Sequence, residues 1–94
     1  MRWWYVYIIT NRRNWVLYIW VTNNLIRRIS EHKDKINPWF SYKYGLKLLV
    51  YYEVYDKIRD AIQREKKLKN WHRERKMNLI ESFNKDWKDL SYDI

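Results

Sequence analysis

The segments YVYIIT at residues 5–10 and VLYIWV at residues 16–21 decide the fold of this chain. Both are rich in β-branched and aromatic residues, the composition that favours β-strands. The polar loop NRRN at residues 11–14 separates them and gives the chain room to reverse its direction. The two segments therefore predict a β-hairpin at the start of the chain.

Beyond the hairpin, the sequence predicts a helix, a third strand and two more helices. The first helix follows the capping oxygens of residues 22–24, and the run at residues 46–55 is dense in the Leu, Val and Tyr of a strand. The remaining helices are expected at residues 57–70, with Asp56 as the N-cap, and at residues 73–83. The predicted fold class is α+β: a three-stranded antiparallel sheet flanked by three helices, in the order β-β-α-β-α-α.

The length of 94 residues fits one domain, and a core of this size depends on its aromatic residues, which make up 19% of the chain. Because no repeat or linker divides the sequence, we expect a single domain over residues 1–94 with a polar tail from about residue 84. No run comes near the roughly 20 apolar residues that span a bilayer, and the N-terminus lacks the features of a signal peptide. These patterns predict a soluble, cytoplasmic protein with no membrane partner.

The formal charge is +9, from 20 Lys and Arg against 11 Asp and Glu. Such a charge attracts polyanions, so nucleic acid, DNA above all, is the leading partner, although a basic surface that serves solubility would give the same count. The chain has no cysteine, which excludes disulfides and thiolate metal sites. A bound metal would therefore take oxygen or imidazole ligands, which favours a hard ion such as Mg²⁺.

Glu65 is the most informative single residue. In the helix predicted at residues 57–70 it falls within an apolar stripe formed by Ile58, Ala61, Ile62 and Leu68. Burying an unpaired charge is costly, so this carboxylate should have a partner. Two alternatives are open: a salt bridge to an arginine at the edge of the core, or a metal ion held in a cleft.

Two further pairs of side chains have the chemistry of a functional site. Arg28 and His32 are four residues apart in the first predicted helix and share a face; a guanidinium binds phosphate through parallel hydrogen bonds, and an imidazole can orient or deprotonate a hydroxyl. Tyr7 and Tyr18 would be neighbours if the faces of the hairpin match. Taken alone, such pairs more often reflect surface spacing or cross-strand packing than catalysis.

In combination, these residues resemble the GIY-YIG endonuclease family. YVY at residues 5–7 and YIW at residues 18–20 look like the two-part signature that names the family. The residues similar to its catalytic pattern are Arg28, His32, Glu65 and, as a looser match just after the last helix, Asn84. The resemblance covers nearly the whole chain, and the predicted order of elements agrees with the family fold.

The resemblance implies a metal-dependent endonuclease that hydrolyses DNA phosphodiester bonds in repair or recombination. It implies that Glu65 holds Mg²⁺ or Mn²⁺ and that Arg28 clamps the non-bridging phosphate oxygens. Tyr7 or Tyr18 would activate or orient the attacking water, with His32 in support.

Tryptophan stands at three positions where glycine is expected: Trp15 in the hairpin turn, Trp20 in the second half of the signature, and Trp39 after Pro38. The chain has 7 Trp and 1 Gly, whereas average usage would give roughly six or seven Gly. An indole at Trp20 would fill the substrate cleft. The alternative function is therefore a non-catalytic, basic nucleic-acid-binding module with its cleft obstructed by Trp20, and a protein-interaction domain with exposed aromatics is a third.

One cause would explain all three tryptophans: the source reads the codon UGA as glycine, and the sequence was translated with UGA as tryptophan. We expect UGA codons at positions 15, 20 and 39, and a native protein with glycine at each of them. Sequencing the gene and weighing the native protein by mass spectrometry tests this hypothesis. UGG codons together with a mass that contains all seven tryptophans would contradict it.

Overall fold

The computed structural model describes residues 3–11, 15–33 and 48–94. Three strands form an antiparallel sheet in the order β2-β1-β3: β1 (Trp4–Thr10), β2 (Leu17–Thr22) and β3 (Leu48–Tyr55). The helices are α1 (Leu25–Lys33), α2 (Ile58–Asn70), α3 (Arg73–Phe83) and a C-terminal 3-10 helix (Leu90–Asp93). The predicted α+β class and the order β-β-α-β-α-α are confirmed. Within the described ranges, no helix is long and apolar enough to cross a bilayer.

The central strand β1 is covered on both of its faces. One face packs on α2 and α3, and the fully buried residues of this layer are Val6, Ile8, Val50, Ala61, Leu68 and Ile80. The other face packs on α1, and its buried residues are Tyr7, Ile9, Leu25, Ile29 and Leu49. A strand buried on both faces has few polar positions, which is why YVYIIT reads as an apolar run.

Helix α1 begins where the sequence predicts it. The side-chain Oδ1 of Asn24 accepts a hydrogen bond from the backbone N–H of Arg27 at 3.1 Å. The hydroxyl of Thr22 accepts one from the backbone N–H of Asn24, also at 3.1 Å. These bonds satisfy donors that the first turn of a helix leaves without a partner. The predicted first two residues of the third strand lie outside the described residues.

Helix α2 differs from the prediction in two details. The residue that precedes it is Lys57 rather than Asp56, and it makes no side-chain capping bond. The buried stripe is also narrower than the sequence pattern, because only the residues that face the small sheet are covered: Ala61 and Leu68 are fully buried, whereas Ile58 and Ile62 are 44% and 37% exposed.

A polar network fixes α2 against β3. The Glu53 carboxylate accepts hydrogen bonds from Arg64 Nε and Nη2, each at 3.0 Å, from the Tyr55 hydroxyl at 2.6 Å, and from the Tyr51 hydroxyl. Burial alone would raise the pKa of Glu53, but these bonds, led by those from Arg64, outweigh burial and lower it. The carboxylate therefore stays charged and ties α2 to the sheet at the residue next to Glu65.

The C-terminal segment covers the edge of β3. Asp89 accepts a hydrogen bond from the backbone N–H of Leu49 at 3.3 Å. Trp87 packs against the layer that contains α2 and α3, and Leu90 packs against the layer that contains α1. Both residues therefore anchor the polar tail.

Candidate active site

Tyr7 lies at the centre of the candidate site. It is 1% exposed, and its hydroxyl lies 3.2 Å from Nε2 of His32 in α1. Burial lowers the pKa of His32, and the charge of Arg28 lowers it further. Burial also raises the pKa of Tyr7 well above the ordinary 10.0. A protonated phenol therefore faces a neutral imidazole, and the hydroxyl donates to Nε2 when the ring carries its own proton on Nδ1.

Arg28 places a positive charge beside this pair. Its charge acts against burial by lowering the pKa of Tyr7. Glu31 holds the guanidinium from one side, with 3.8 Å between Arg28 Nη1 and Glu31 Oε2. The Nε–H of Arg28 is buried and has no hydrogen-bond acceptor among the described residues. A buried donor without an acceptor is costly, so this position suits an anionic oxygen.

Glu65 reaches the same cluster from α2, and its charge acts on the Tyr7 hydroxyl. Its side chain is 18% exposed, and Oε1 lies 3.2 Å from the ammonium of Lys69. That ammonium also lies 4.9 Å from the centre of the Trp20 ring. The partner of Glu65 is thus a lysine one turn along its own helix, whereas the nearby Arg64 is committed to Glu53.

The register of the hairpin pairs Tyr7 with Trp20 and pairs Ile9 with Tyr18. Tyr18 is therefore a diagonal neighbour of Tyr7 on the same face, rather than the residue directly opposite. The rings of Tyr18 and Trp20 lie parallel within 4°, with their centres 6.3 Å apart. The indole of Trp20 consequently occupies the position beside Tyr7 that a small residue would leave open.

The hydrogen bonds of Asn84 lead to β3 and the C-terminal segment. Its Nδ2 donates to the carbonyl oxygens of Val50 at 3.1 Å and Lys88 at 2.8 Å, and its Oδ1 accepts from the backbone N–H of Lys88 at 3.0 Å. Both of its N–H groups are used, and none of these bonds reaches Tyr7 or Glu65. These hydrogen bonds hold the C-terminal segment against β3.

The donor set fits a magnesium ion bound by a single carboxylate. The described residues contain no group of three or more His, Asp or Glu side chains that would enclose a metal ion. Mg²⁺ does not need one, because it keeps several waters and binds through one or two carboxylates and substrate phosphates. Glu65 is half-buried and already neighbours a cation, so it can fill that role.

Two charged residues of the site, Glu31 and Lys69, were not predicted from the sequence. Glu31 pairs with Arg27 at 3.5 Å as well as with Arg28, and Lys69 pairs with Glu65. Both follow the spacing of three or four residues that brings opposite charges together on a helix. This spacing of opposite charges is visible in the sequence, but ordinary surface ion pairs have the same spacing. Only their position near Tyr7 distinguishes Glu31 and Lys69 from such pairs.

Trp15 has the backbone of a glycine position. Its φ is 51°, in the left-handed region that favours glycine, and its ring packs edge-on against Trp87 with the ring centres 5.1 Å apart. This agrees with glycine at position 15 of the native protein. Trp87 also has a positive φ, 54°, which the sequence did not indicate. Trp39 lies outside the described residues.

The sequence model of the GIY-YIG catalytic domain matches residues 3–78, a region that includes Tyr7, Arg28, His32 and Glu65. This chain belongs to the GIY-YIG family. It is similar to the UPF0213 protein CPE1444 of Clostridium perfringens, with 35% identity over 89 residues, which are 95% of this chain and 92% of that protein. The GIY-YIG chain also shares its fold with the UPF0213 protein BH0048 of Bacillus halodurans, solved by NMR in solution. The TM-score is 0.60 at 22% identity, covering 93% of this chain and 92% of the other.

The buried His32 makes the stability of this GIY-YIG protein depend on pH. Because the pKa of His32 lies below its ordinary 6.5 in the folded protein, the unfolded state takes up the proton first as the pH falls. The free energy of unfolding is therefore fully retained above about pH 6.5 and declines as the pH falls toward the lowered pKa. We expect His32→Gln to remove this part of the decline.

Urea unfolding from about pH 8 to about pH 5 measures the effect. The matched control is His72→Gln, since His72 is exposed, and this variant should keep the decline of the unmodified protein. Parallel pH profiles for the unmodified protein and His32→Gln would contradict the prediction.

Proposed function

We propose that this protein is a metal-dependent endonuclease that hydrolyses phosphodiester bonds in DNA. The observation that carries the proposal is the hydrogen bond between Tyr7 and His32, on whose phenol the charges of Arg28 in α1 and Glu65 in α2 both act. Hydrolysis of a phosphodiester needs a cation for the phosphate, an acceptor for the proton of water, and a ligand for a metal ion. Membership of the GIY-YIG family supports an endonuclease-type activity.

Arg28 is the residue we assign to the phosphate. Its buried Nε–H has no acceptor among the residues described, and a non-bridging phosphate oxygen would supply one. The guanidinium would then neutralise charge that grows on the phosphate oxygens as water attacks. Glu31 keeps the guanidinium in place through its ion pair.

Tyr7 and His32 are the residues we assign to proton transfer. The raised pKa of Tyr7 makes a free phenolate unfavourable, so the phenol must pass on its own proton as it takes one from water. Nε2 of His32, at 3.2 Å, is the acceptor. The water oxygen bonds to phosphorus, the bond to the leaving oxygen breaks, His32 ends protonated, and the leaving oxygen takes a proton from solvent.

Glu65 is the residue we assign to Mg²⁺ or Mn²⁺, exchanging its ion pair with Lys69 for the metal. The bound ion would polarise the phosphate and neutralise charge on the leaving oxygen. The net charge of +9 supports DNA as the partner, and a role in repair or recombination in the cytoplasm belongs to the same proposal.

A second candidate function rests on the pairing of Trp20 with Tyr7. An indole at this position keeps a phosphate away from the Tyr7 hydroxyl. The protein with Trp20 would then be a basic module that binds nucleic acid without cutting it. The two functions differ in a single residue, so one substitution discriminates between them.

A DNA nicking assay with Mg²⁺ on duplex, branched and single-stranded substrates tests the proposal. We expect Trp20→Gly to cut at least about tenfold faster than the protein with Trp20, because removing the indole opens the face beside Tyr7. Adding Glu65→Gln to Trp20→Gly should lower the rate by about 100-fold or more, because the metal loses its carboxylate. Adding Glu74→Gln instead removes the same charge at an exposed position of α3 and should leave the rate unchanged.

Glycine within a strand costs roughly 0.5–1 kcal/mol, so thermal melting must confirm that Trp20→Gly folds, and Trp20→Ala offers a smaller backbone penalty. If the Trp20→Gly variant folds and binds DNA but shows no metal-dependent cleavage, the enzyme proposal is wrong. The non-catalytic binding module is then favoured. If Trp20→Gly cuts DNA at the same rate with Glu65→Gln added as with Glu74→Gln added, Glu65 does not take part in the reaction.

A further inference from the structure

The positive charge of this chain is concentrated where α2 meets α3. Residues 64–76 contain seven Lys and Arg against two Glu, a net charge of +5, which is more than half of the total of +9. Residues 77–94 contain two Lys against four Asp and Glu, a net charge of −2. The positive charge is therefore concentrated in one region of the chain rather than distributed evenly along it.

Three of these cations lie close to one another on the side of the molecule that carries the edge strand β2. The Lys69 ammonium touches the Trp20 ring, Lys76 Nζ donates to the backbone oxygen of Lys69 at 3.3 Å, and Arg73 Nη2 donates to the backbone oxygen of Trp15 at 2.5 Å. Trp15 lies two residues before β2 and Trp20 lies within it, so Arg73 contacts the approach to this strand, Lys69 contacts its middle, and Lys76 lies beside Lys69. Lys69, Arg73 and Lys76 are termed the basic corner.

The other two arginines of this region are already engaged. Arg64 donates to Glu53 and lies 5.2 Å from the centre of the Trp71 ring, and the guanidinium carbon of Arg75 lies 3.8 Å from the centre of the same ring. These two arginines contact Glu53 and Trp71, whereas Lys69 and Arg73 contact Trp20 and Trp15 on the β2 side of the molecule. Their position beside β2 distinguishes the residues of the basic corner from Arg64 and Arg75.

We propose that the basic corner binds phosphates of the DNA strand that flank the bond to be cut, and guides that strand to Tyr7. This inference deepens the proposed function and rests on it. The five steps from Trp15 to Trp20 span at most about 17 Å at about 3.3 Å per residue. Along one strand of duplex DNA, with a phosphate every 3.4 Å or so of axis, that length faces about five phosphates.

The basic corner has donors left for these phosphates. Arg73 uses one of the five N–H groups of a guanidinium on Trp15, and Lys76 uses one of three on Lys69. Lys69 is continuous with the active site, because its ammonium rests on Glu65.

The test is the salt dependence of duplex DNA binding, measured by fluorescence anisotropy in EDTA so that metal binding does not contribute. The corner variant carries Lys69→Gln, Arg73→Gln and Lys76→Gln. The control carries Lys57→Gln, Arg59→Gln and Lys88→Gln, which remove the same charge from exposed positions elsewhere. We expect the slope of log Kd against log salt to fall by about 2 to 3 in the corner variant and to remain near that of the unmodified protein in the control.

Arg73 and Lys76 also bond to backbone oxygens, so circular dichroism must confirm the fold of the corner variant. Lys69→Gln alone lacks such a bond and should lower the slope by about 1. Equal slopes for the corner variant and the control would overturn the proposal for this surface, while cleavage by Trp20→Gly would leave the proposed function standing. Absence of salt-dependent DNA binding by the unmodified protein would overturn both.

Discussion

The hydrogen bond between Tyr7 and His32 joins the central strand to α1, and the chemistry of the site depends on it. Both side chains are buried, and each loses solvent that would otherwise satisfy its polar atoms. Leaving one of them without a partner would cost about 1–3 kcal/mol, so the pair fixes the distance between sheet and helix. Arg28 lies one turn before His32 on the same helix face and is positioned by the same contact.

The placement of Glu65 depends on its neighbour in the chain. Arg64 is held by Glu53 and by the ring of Trp71, which sets the rotation of α2 about its own axis. Glu65 is about 100° further round the helix, so fixing Arg64 directs Glu65 toward Trp20 and Tyr7. The ion pair between Arg64 and Glu53 thereby sets the orientation of Glu65, whose carboxylate pairs with Lys69.

The sequence predicts the order of the elements because hydrophobic periodicity is a local property. The runs at residues 5–10 and 16–21, the caps at Thr22 and Asn24, and the burial of Ala61 and Leu68 all follow from neighbours in the chain. Membership of the GIY-YIG family and the clustering of Tyr7, Arg28 and His32 were indicated as well. Strand composition does not specify register, however, so the pairing of Tyr7 with Trp20 rather than Tyr18 required the structure.

Asn84 illustrates the other limit of sequence reasoning. Its place in the active site stays a prediction, but the sequence did not indicate that its amide holds backbone groups at residues 50 and 88. Those partners are distant in sequence or irregular in conformation, and no periodic pattern reveals them. The same holds for the Glu53 network, where β3 and α2 meet through four polar side chains.

Paramagnetic broadening of backbone amide NMR signals by Mn²⁺ tests most directly whether a metal ion binds at Glu65 beside Tyr7. If it does, the signals of Tyr7, Trp20 and Glu65 broaden first as Mn²⁺ is added, and Glu65→Gln removes this effect. First broadening in the acidic C-terminal segment, at Asp86, Asp89 or Asp93, with no change in Glu65→Gln, would contradict the assignment of Glu65 as the metal ligand.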